Sequence, residues 1–367
     1  MSTPKTPLAG LKVVSMAEQY PGPFCTMTLS DLGADVVQVE RPKSGDPARH
    51  FKAFYEAINR GKSSITLDVK EREQRDQLLS LLAESDVFLE GFRPGKLAKA
   101  GLSYEDVKAL NPRLIYCSIS GFGQSGPYRD RPAHDLTYQG VAGALDERIK
   151  GDVTGLPSTF LLGDTLSALY ATIGILTALN ARERSGEGTY IDVSMTDCVA
   201  SAMAAFTAMS DQDDGIAPPQ AEPAFDLFQC KDGQWLTLSI AHEDGYWKTL
   251  CETLGLDHVA TLNRAERVAR RGELKGMIED RIAQEPRDAW ESVFNNSGQM
   301  WGPANHLHEA PHDKGLMARN LYHRVKRLDG VEQWVTRQPL GFSDYQNATL
   351  TSAPKLGADN EKILGET

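Results

Sequence analysis

The chain has 367 residues, 41% of them hydrophobic, and its 50 acidic against 39 basic side chains leave a formal net charge of −11. That length is more than one core usually serves, so two domains are expected, and the acidic balance argues against nucleic acid as the general partner. Five scattered cysteines (positions 25, 117, 198, 230 and 251) form no CxxC pair, the opening Met-Ser-Thr-Pro-Lys-Thr-Pro is not apolar, and no run of about 18 apolar residues is read. Reduced thiols, a cytoplasmic location and no membrane span are the expectations.

In chain order, residues 11–16, 35–40, 64–69, 86–90 and 114–118 are short β-rich runs, while 71–84 and 104–110 carry helical spacing. Such alternation predicts βαβ units on a parallel sheet: a Rossmann-like large α/β domain over residues 1–210. Gly121-Phe-Gly123-Gln-Ser-Gly126 formally matches GxGxxG, but a dinucleotide turn must open a helix, and Pro127-Tyr-Arg-Asp-Arg-Pro132 follows instead. Those glycines therefore read as a loop that turns sharply or approaches a ligand closely. His134-Asp135 then opens a helical run of small residues, as a capped helix start or as a reactive pair.

Asp164, in Leu-Leu-Gly163-Asp164-Thr-Leu-Ser-Ala, opens a longer helix. Leu166, Leu169, Tyr170, Ile173 and Leu176 fall on one face of it, and it runs to about residue 184, before Gly186-Glu-Gly188 and a strand over 190–194. An Asp here is either a plain N-cap or a reactive carboxylate beside an oxyanion hole made of the helix's free N–H groups. A polar, Asp- and Pro-rich linker is expected over 211–224, then a smaller α+β domain over 225–310. Its hairpin turns at Lys231-Asp-Gly233 between strands 225–230 and 234–240, with helices near 245–254, 264–282 and 287–294. His306, His308 and His312 gather near Pro311, which breaks any helix able to aim them at zinc; a surface loop is preferred. No GxSxG elbow occurs. The tail, 311–367, has strand-like pieces at 322–327 and 333–338 and is expected to return to the large domain.

Taken together, Pro21-Gly-Pro23, Leu29 to Pro42, Gly45-Asp46-Pro-Ala-Arg49, Asn59-Arg60-Gly61-Lys62 to Asp68, Glu90-Gly91-Phe92-Arg93-Pro94-Gly95, Gly121 to Pro127, Gly163-Asp164 and Arg184-Ser-Gly186-Glu-Gly188 resemble the family III CoA-transferases. These are the CaiB/BaiF-type enzymes that also include α-methylacyl-CoA racemase. The likeness is strong over about residues 8–200 and weaker beyond. It implies an acyl-CoA substrate, no prosthetic group or metal, and an interlocked homodimer. It also implies that Arg41, Leu67, Phe92 and Arg93 hold the CoA, and that Asp164 is the key carboxylate.

Transferases of this family use that Asp as a nucleophile and need no His. Its racemases need acid/base groups on both faces of the α-carbon and supply a His and this Asp. His134 and Asp135 stand where the racemase pair stands, and Glu243 aligns with a supporting small-domain Glu. On these residues, α-carbon racemisation of a 2-methylacyl-CoA through an enolate is the first reading, with CoA transfer through an aspartyl-CoA thioester as the alternative. A regulatory CoA-binding protein is a third. Against the first stands Thr165-Leu-Ser-Ala168, where racemases carry a glycine-rich turn. Tyr20, Tyr138, Met203 and Met209 are candidate lining for the acyl group.

Overall fold

The computed structural model describes residues 6–146, 160–211 and 219–365. Residues 212–218, half of the expected linker, lie outside them. Two compact units are formed: Met1–Ala208 with Arg319–Thr367, and Met209–Ala318.

The first unit is built on β1 (Lys12–Ser15), β2 (Asp35–Glu40), β3 (Ser63–Thr66), β4 (Val87–Glu90), β5 (Ile115–Ser120) and β6 (Tyr190–Ser194). They pair in the order β3-β2-β1-β4-β5-β6, all parallel, with Val13 opposite both Val36 and Val87. The strands read as continuous apolar runs because both faces are covered. On one face lie α1 (Pro21–Asp31) and the helix Leu162–Ser185; on the other lie α3 (Arg72–Ala83) and α4 (Tyr104–Leu110), with α2 (Lys52–Asn59) between β2 and β3. The helix α4 starts at a reciprocal capping box between Ser103 and Asp106.

One helix of the crossovers, α1, escapes a search for periodicity. Eight of the 11 residues of α1 are buried, so no polar face interrupts the pattern, and only Pro21 at its first turn marks the start. The tail does pack within this unit. Asp359 and Asn360 side chains accept the Ser64 and Thr66 N–H groups at 2.8 Å each, which covers the outer edge of β3. A buried ion pair, Arg60 with Asp31 at 2.6 Å, also binds the Thr336 carbonyl and the Gln338 N–H. It ties down the antiparallel hairpin Tyr322–Lys326 and Glu332–Thr336.

The next helices in chain order are α5 (Asp135–Val141) and α6 (Leu162–Ser185). Of the apolar stripe of α6 only the two ends, Leu166 and Leu176, pack on the core; the face toward the sheet is mainly one of small residues. Ala168, Ala171, Thr172, Ile175 and Ala178 are buried there, while Leu169, Tyr170 and Ile173 are 41%, 39% and 56% exposed. Small residues on that face allow close approach to the strands. By length and composition α6 is also apolar enough to cross a membrane, contrary to the expectation from the sequence; its small-residue face belongs to the core of this unit.

In the second unit, β7 (Phe225–Gln229), β8 (Trp235–Ser239) and β9 (Trp301–Ala304) form an antiparallel sheet. Helices over Asp244–Leu254, Arg264–Ala269, Arg271–Ile282 and Arg287–Ser297 pack around Trp247, Phe228 and Phe294. The expected helix over 264–282 is two helices separated at Arg270. Fully buried Arg267 binds Glu222 at 2.9 Å and Asp244 at 2.6 Å, so the end of the expected linker is anchored inside this unit.

Candidate active site

A parallel sheet whose strand order reverses beside β1 leaves a crevice at the strands' carboxyl ends, where such sheets bind ligands. The CoA-site candidates all follow those ends: Arg41 after β2, Leu67 after β3, Phe92 and Arg93 after β4. The helix α6 descends to β6 as a crossover, so its first turn lies at the same edge of the sheet, and that turn carries Asp164.

Of the two sequence readings of Asp164, a plain N-cap or a reactive carboxylate, the structure removes the first. Leu161 is the N-cap, and Asp164 is the third residue of the helix. The cap comes from another element. Asp135, buried at the start of α5, accepts the Gly163 N–H at 2.7 Å and the Asp164 N–H at 3.0 Å on its Oδ1. Its Oδ2 accepts from Gln139. The N–H groups expected to form an oxyanion hole are therefore occupied at these two positions. Burial, and after it the Asp135 charge, pushes the Asp164 carboxyl up to about 7. Tyr138, whose hydroxyl donates to the Ala133 carbonyl at 2.8 Å, is pushed up to about 12 by burial and then by the same two carboxylates.

Glycine is required here twice by space. A Cβ on Gly121 would stand 2.6 Å from the Tyr138 ring, and one on Gly163 would stand 3.1 Å from Asp135 Oδ1. The GxGxxG match is thus a loop that lets Tyr138 seat; no helix follows it until Asp135. His134 is exposed, and its ring makes no hydrogen bond among the described residues. The structure separates the His134–Asp135 pair, since the Asp faces α6.

Of the CoA candidates, Arg41 is clamped by Glu18, with its Nε and Nη2 at 3.0 and 3.1 Å from the two carboxylate oxygens. Leu67 points into the core beside Ile65, so only its backbone is available at the strand end. Phe92 is partly buried under Lys96, whose Nζ stands 4.3 Å from the ring centre. Its N–H binds Glu90, a buried carboxyl pushed up to about 7 by desolvation. Arg93 is exposed, makes no ion pair among the described residues, and lines a cleft of about 240 Å³ with Glu90, Tyr104 and Gln124. Sequence reading gave no role to Glu18 or Glu90, whose carboxyl groups hold Arg41 and the Phe92 N–H; Glu90 opens a quoted motif, whereas nothing in the sequence marks Glu18.

Glu243 lies in the second unit, and its carboxylate turns back on its own segment, accepting from the Ala241 and His242 N–H groups at 3.0 and 3.1 Å. Slight desolvation opposes these bonds and the neighbouring His242, but they hold the carboxyl below the usual range. His306 and His308 stack with their ring centres 5.8 Å apart on an exposed stretch, and no group of metal-ligating side chains gathers among the described residues. All five cysteines are free and buried.

Comparison with known proteins gives these residues a context. The family described as CoA-transferase family III matches residues 8–360. A succinate–glutarate CoA-transferase of Agrobacterium fabrum is 33% identical, covering 100% of this chain and 97% of that protein. An acetyl-CoA:oxalate CoA-transferase of Acetobacter aceti is 34% identical over 99% and 96%. The crystal structure of a CaiB/BaiF family protein from Brucella suis superposes with a TM-score of 0.85 at 34% identity, covering 98% of each chain.

Proposed function

We propose, because this chain belongs to CoA-transferase family III, that it moves CoA from an acyl-CoA thioester to a carboxylic acid through covalent adducts on Asp164. The relatives favour this over the racemase reading first drawn from the sequence, since those compared are CoA-transferases by name. The geometry around Asp135 supports the same choice, because its carboxylate serves the helix of Asp164 and leaves His134 without it. The observation that carries the proposal is the Asp164 carboxylate in the first turn of α6, at the sheet's ligand edge, with the N–H groups of that turn taken by Asp135 and its own charge partly desolvated.

In the proposed cycle the Asp164 carboxylate attacks the thioester carbon, expelling CoA thiolate and leaving a mixed anhydride. The thiolate returns to the Asp164 carbonyl, releasing the first acid and forming an aspartyl-CoA thioester. The acceptor carboxylate then attacks that thioester, expelling CoA thiolate and leaving a second mixed anhydride; the thiolate attacks the acceptor's carbonyl carbon, forming the new thioester and releasing the Asp164 carboxylate. Partial burial raises the ground state of the carboxylate and so its reactivity, and a dry pocket protects the anhydride from water. Arg93 is the proposed fork for CoA phosphate and Phe92 the platform for the adenine or the pantetheine arm. Arg41 contributes once it leaves Glu18, and Leu67 contributes through its backbone.

The acyl partners are taken to be small dicarboxylic acids, by analogy with the succinate, glutarate and oxalate of the relatives' names. The proposal includes an interlocked homodimer, supported by the exposed Leu169, Tyr170 and Ile173 face of α6. It also includes a cytoplasmic location, supported by the five free thiols.

The test is acceptor dependence. Succinyl-CoA with glutarate or oxalate should yield the new thioester, whereas a 2-methylacyl-CoA alone in deuterated water should keep its α-hydrogen. Exchange without any acceptor acid, and no transfer to any acid, would return the racemase reading.

A further inference from the structure

With Asp135 occupying the second and third N–H groups of α6, the negative charge that develops on the thioester oxygen needs a donor from elsewhere. The turn between β1 and α1 is built to present one. Gln19 holds a left-handed backbone, φ 68°, that a non-glycine residue adopts at a cost. Both oxygens of Asp46 grip its N–H, at 3.0 and 3.1 Å. Asp46 is fixed in turn: its N–H donates to Glu40 at 2.9 Å and its Oδ1 accepts from Ala48 at 2.8 Å.

What this turn delivers is Tyr20. Its ring stacks between Phe24 and Phe54, with centroids 5.4 and 5.6 Å away, and Pro21 behind it fixes the start of α1. The helices α1 and α6 pack side by side, with the Thr172 hydroxyl 3.3 Å from Cys25 Sγ, and this sets Tyr20, at the start of α1, beside Asp164 and Thr165 in the first turns of α6. Thr165 is only 9% exposed, and its buried hydroxyl has no well-formed hydrogen-bond partner. That leaves it able to bond an atom of a bound substrate. Burial, opposed by Thr165 and helped by Asp164, raises the phenol above its ordinary value, so it stays an O–H donor at neutral pH.

We propose that Tyr20 is a catalytic residue, its O–H donating a hydrogen bond to the thioester carbonyl oxygen as Asp164 adds to the carbon, with Thr165 beside it. The step balances without an added reagent. A carboxylate oxygen of Asp164 bonds to the carbon, and the C=O pair moves onto oxygen against the Tyr20 O–H. On collapse that pair re-forms C=O as CoA leaves as thiolate, and Tyr20 keeps its proton. This inference rests on the transferase reading.

The experiment is rapid-quench acylation of Asp164 by succinyl-CoA, with steady-state transfer to glutarate, in wild type and Tyr20→Phe. The variant keeps the ring stack and loses only the O–H. Acylation and kcat should fall roughly 10²-fold, the KM for succinyl-CoA should stay within about threefold, and the thermal midpoint should not move. Acylation within about threefold of wild type, or a raised KM at unchanged kcat, overturns the assignment while leaving the transferase reading intact. No adduct in wild type removes both together.

Discussion

Asp164 and Glu243 are carboxylates at the starts of helices, one in each unit, and their surroundings treat them in opposite ways. Glu243 satisfies itself by accepting the two N–H groups just before its own helix and is held low. Asp164 has lost that option because Asp135 accepts the N–H groups of its turn, and it is burdened with burial and a second negative charge, which hold it near 7. A helix start is therefore not in itself a reactive place. What sets Asp164 apart is that another carboxylate caps its helix, and the proposed nucleophilic role rests on that difference.

The widest test of that contrast is substitution at both. Asp164→Ala should lower transfer by roughly 10⁴-fold or more in steady-state assays. Glu243→Ala should leave kcat within about threefold and cost about 1 kcal/mol in denaturant unfolding, from the lost turn bonds. Equal losses of activity would break the contrast.

The pH dependence sharpens it. Attack needs the ionised carboxylate, so kcat/KM should climb as pH rises through about 7, the value to which Asp164 is raised. Asp135→Asn keeps an oxygen to accept the Gly163 and Asp164 N–H groups but removes its charge, so the climb should move to lower pH. A climb that stays in place after this change would show that Asp135 does not set it.

The CoA-binding arginines offer a third comparison. Arg41 must first leave Glu18, whereas Arg93 has no such partner among the described residues. Arg93→Ala should raise the acyl-CoA KM about tenfold and Arg41→Ala only about two- to threefold. The reverse order would mean that Glu18 gives up Arg41 readily.

The smallest effect is on stability. A carboxyl raised in the folded state keeps its proton to higher pH than in the unfolded chain, so the fold loses stability as pH rises from about 4 to about 7. Asp164→Asn escapes that loss and should unfold at higher temperature than wild type at pH 8, by roughly 1–3 kcal/mol, with the gap narrowing toward pH 4. A constant gap across this range would place its cause outside the ionisation of Asp164.

The parallel sheet was legible because each of its strands is a short apolar run between turn residues, and so were the helices with one polar face, such as Arg72–Ala83. Helix α1 was not, since burial on nearly every side erases periodicity. Helix α6 was legible from its apolar spacing, but its contact with the sheet was not, because Ala168, Ala171 and Ala178 carry it and attract no notice in a sequence. At the site, residue types announced Asp164 and the arginines. Which carboxylate caps which helix depends on α5 and α6 meeting across 28 residues of sequence, and no local pattern encodes that. The choice of transferase over racemase came from the relatives, since a His-Asp dipeptide looks the same whether or not its members face each other.

The central claim is tested most directly by mass spectrometry of the peptide bearing Asp164, from enzyme turning over succinyl-CoA and glutarate in the presence of hydroxylamine. A hydroxamate at Asp164, accumulating as activity is lost, is the result predicted. An unmodified Asp164 in enzyme that continues to transfer CoA would contradict it.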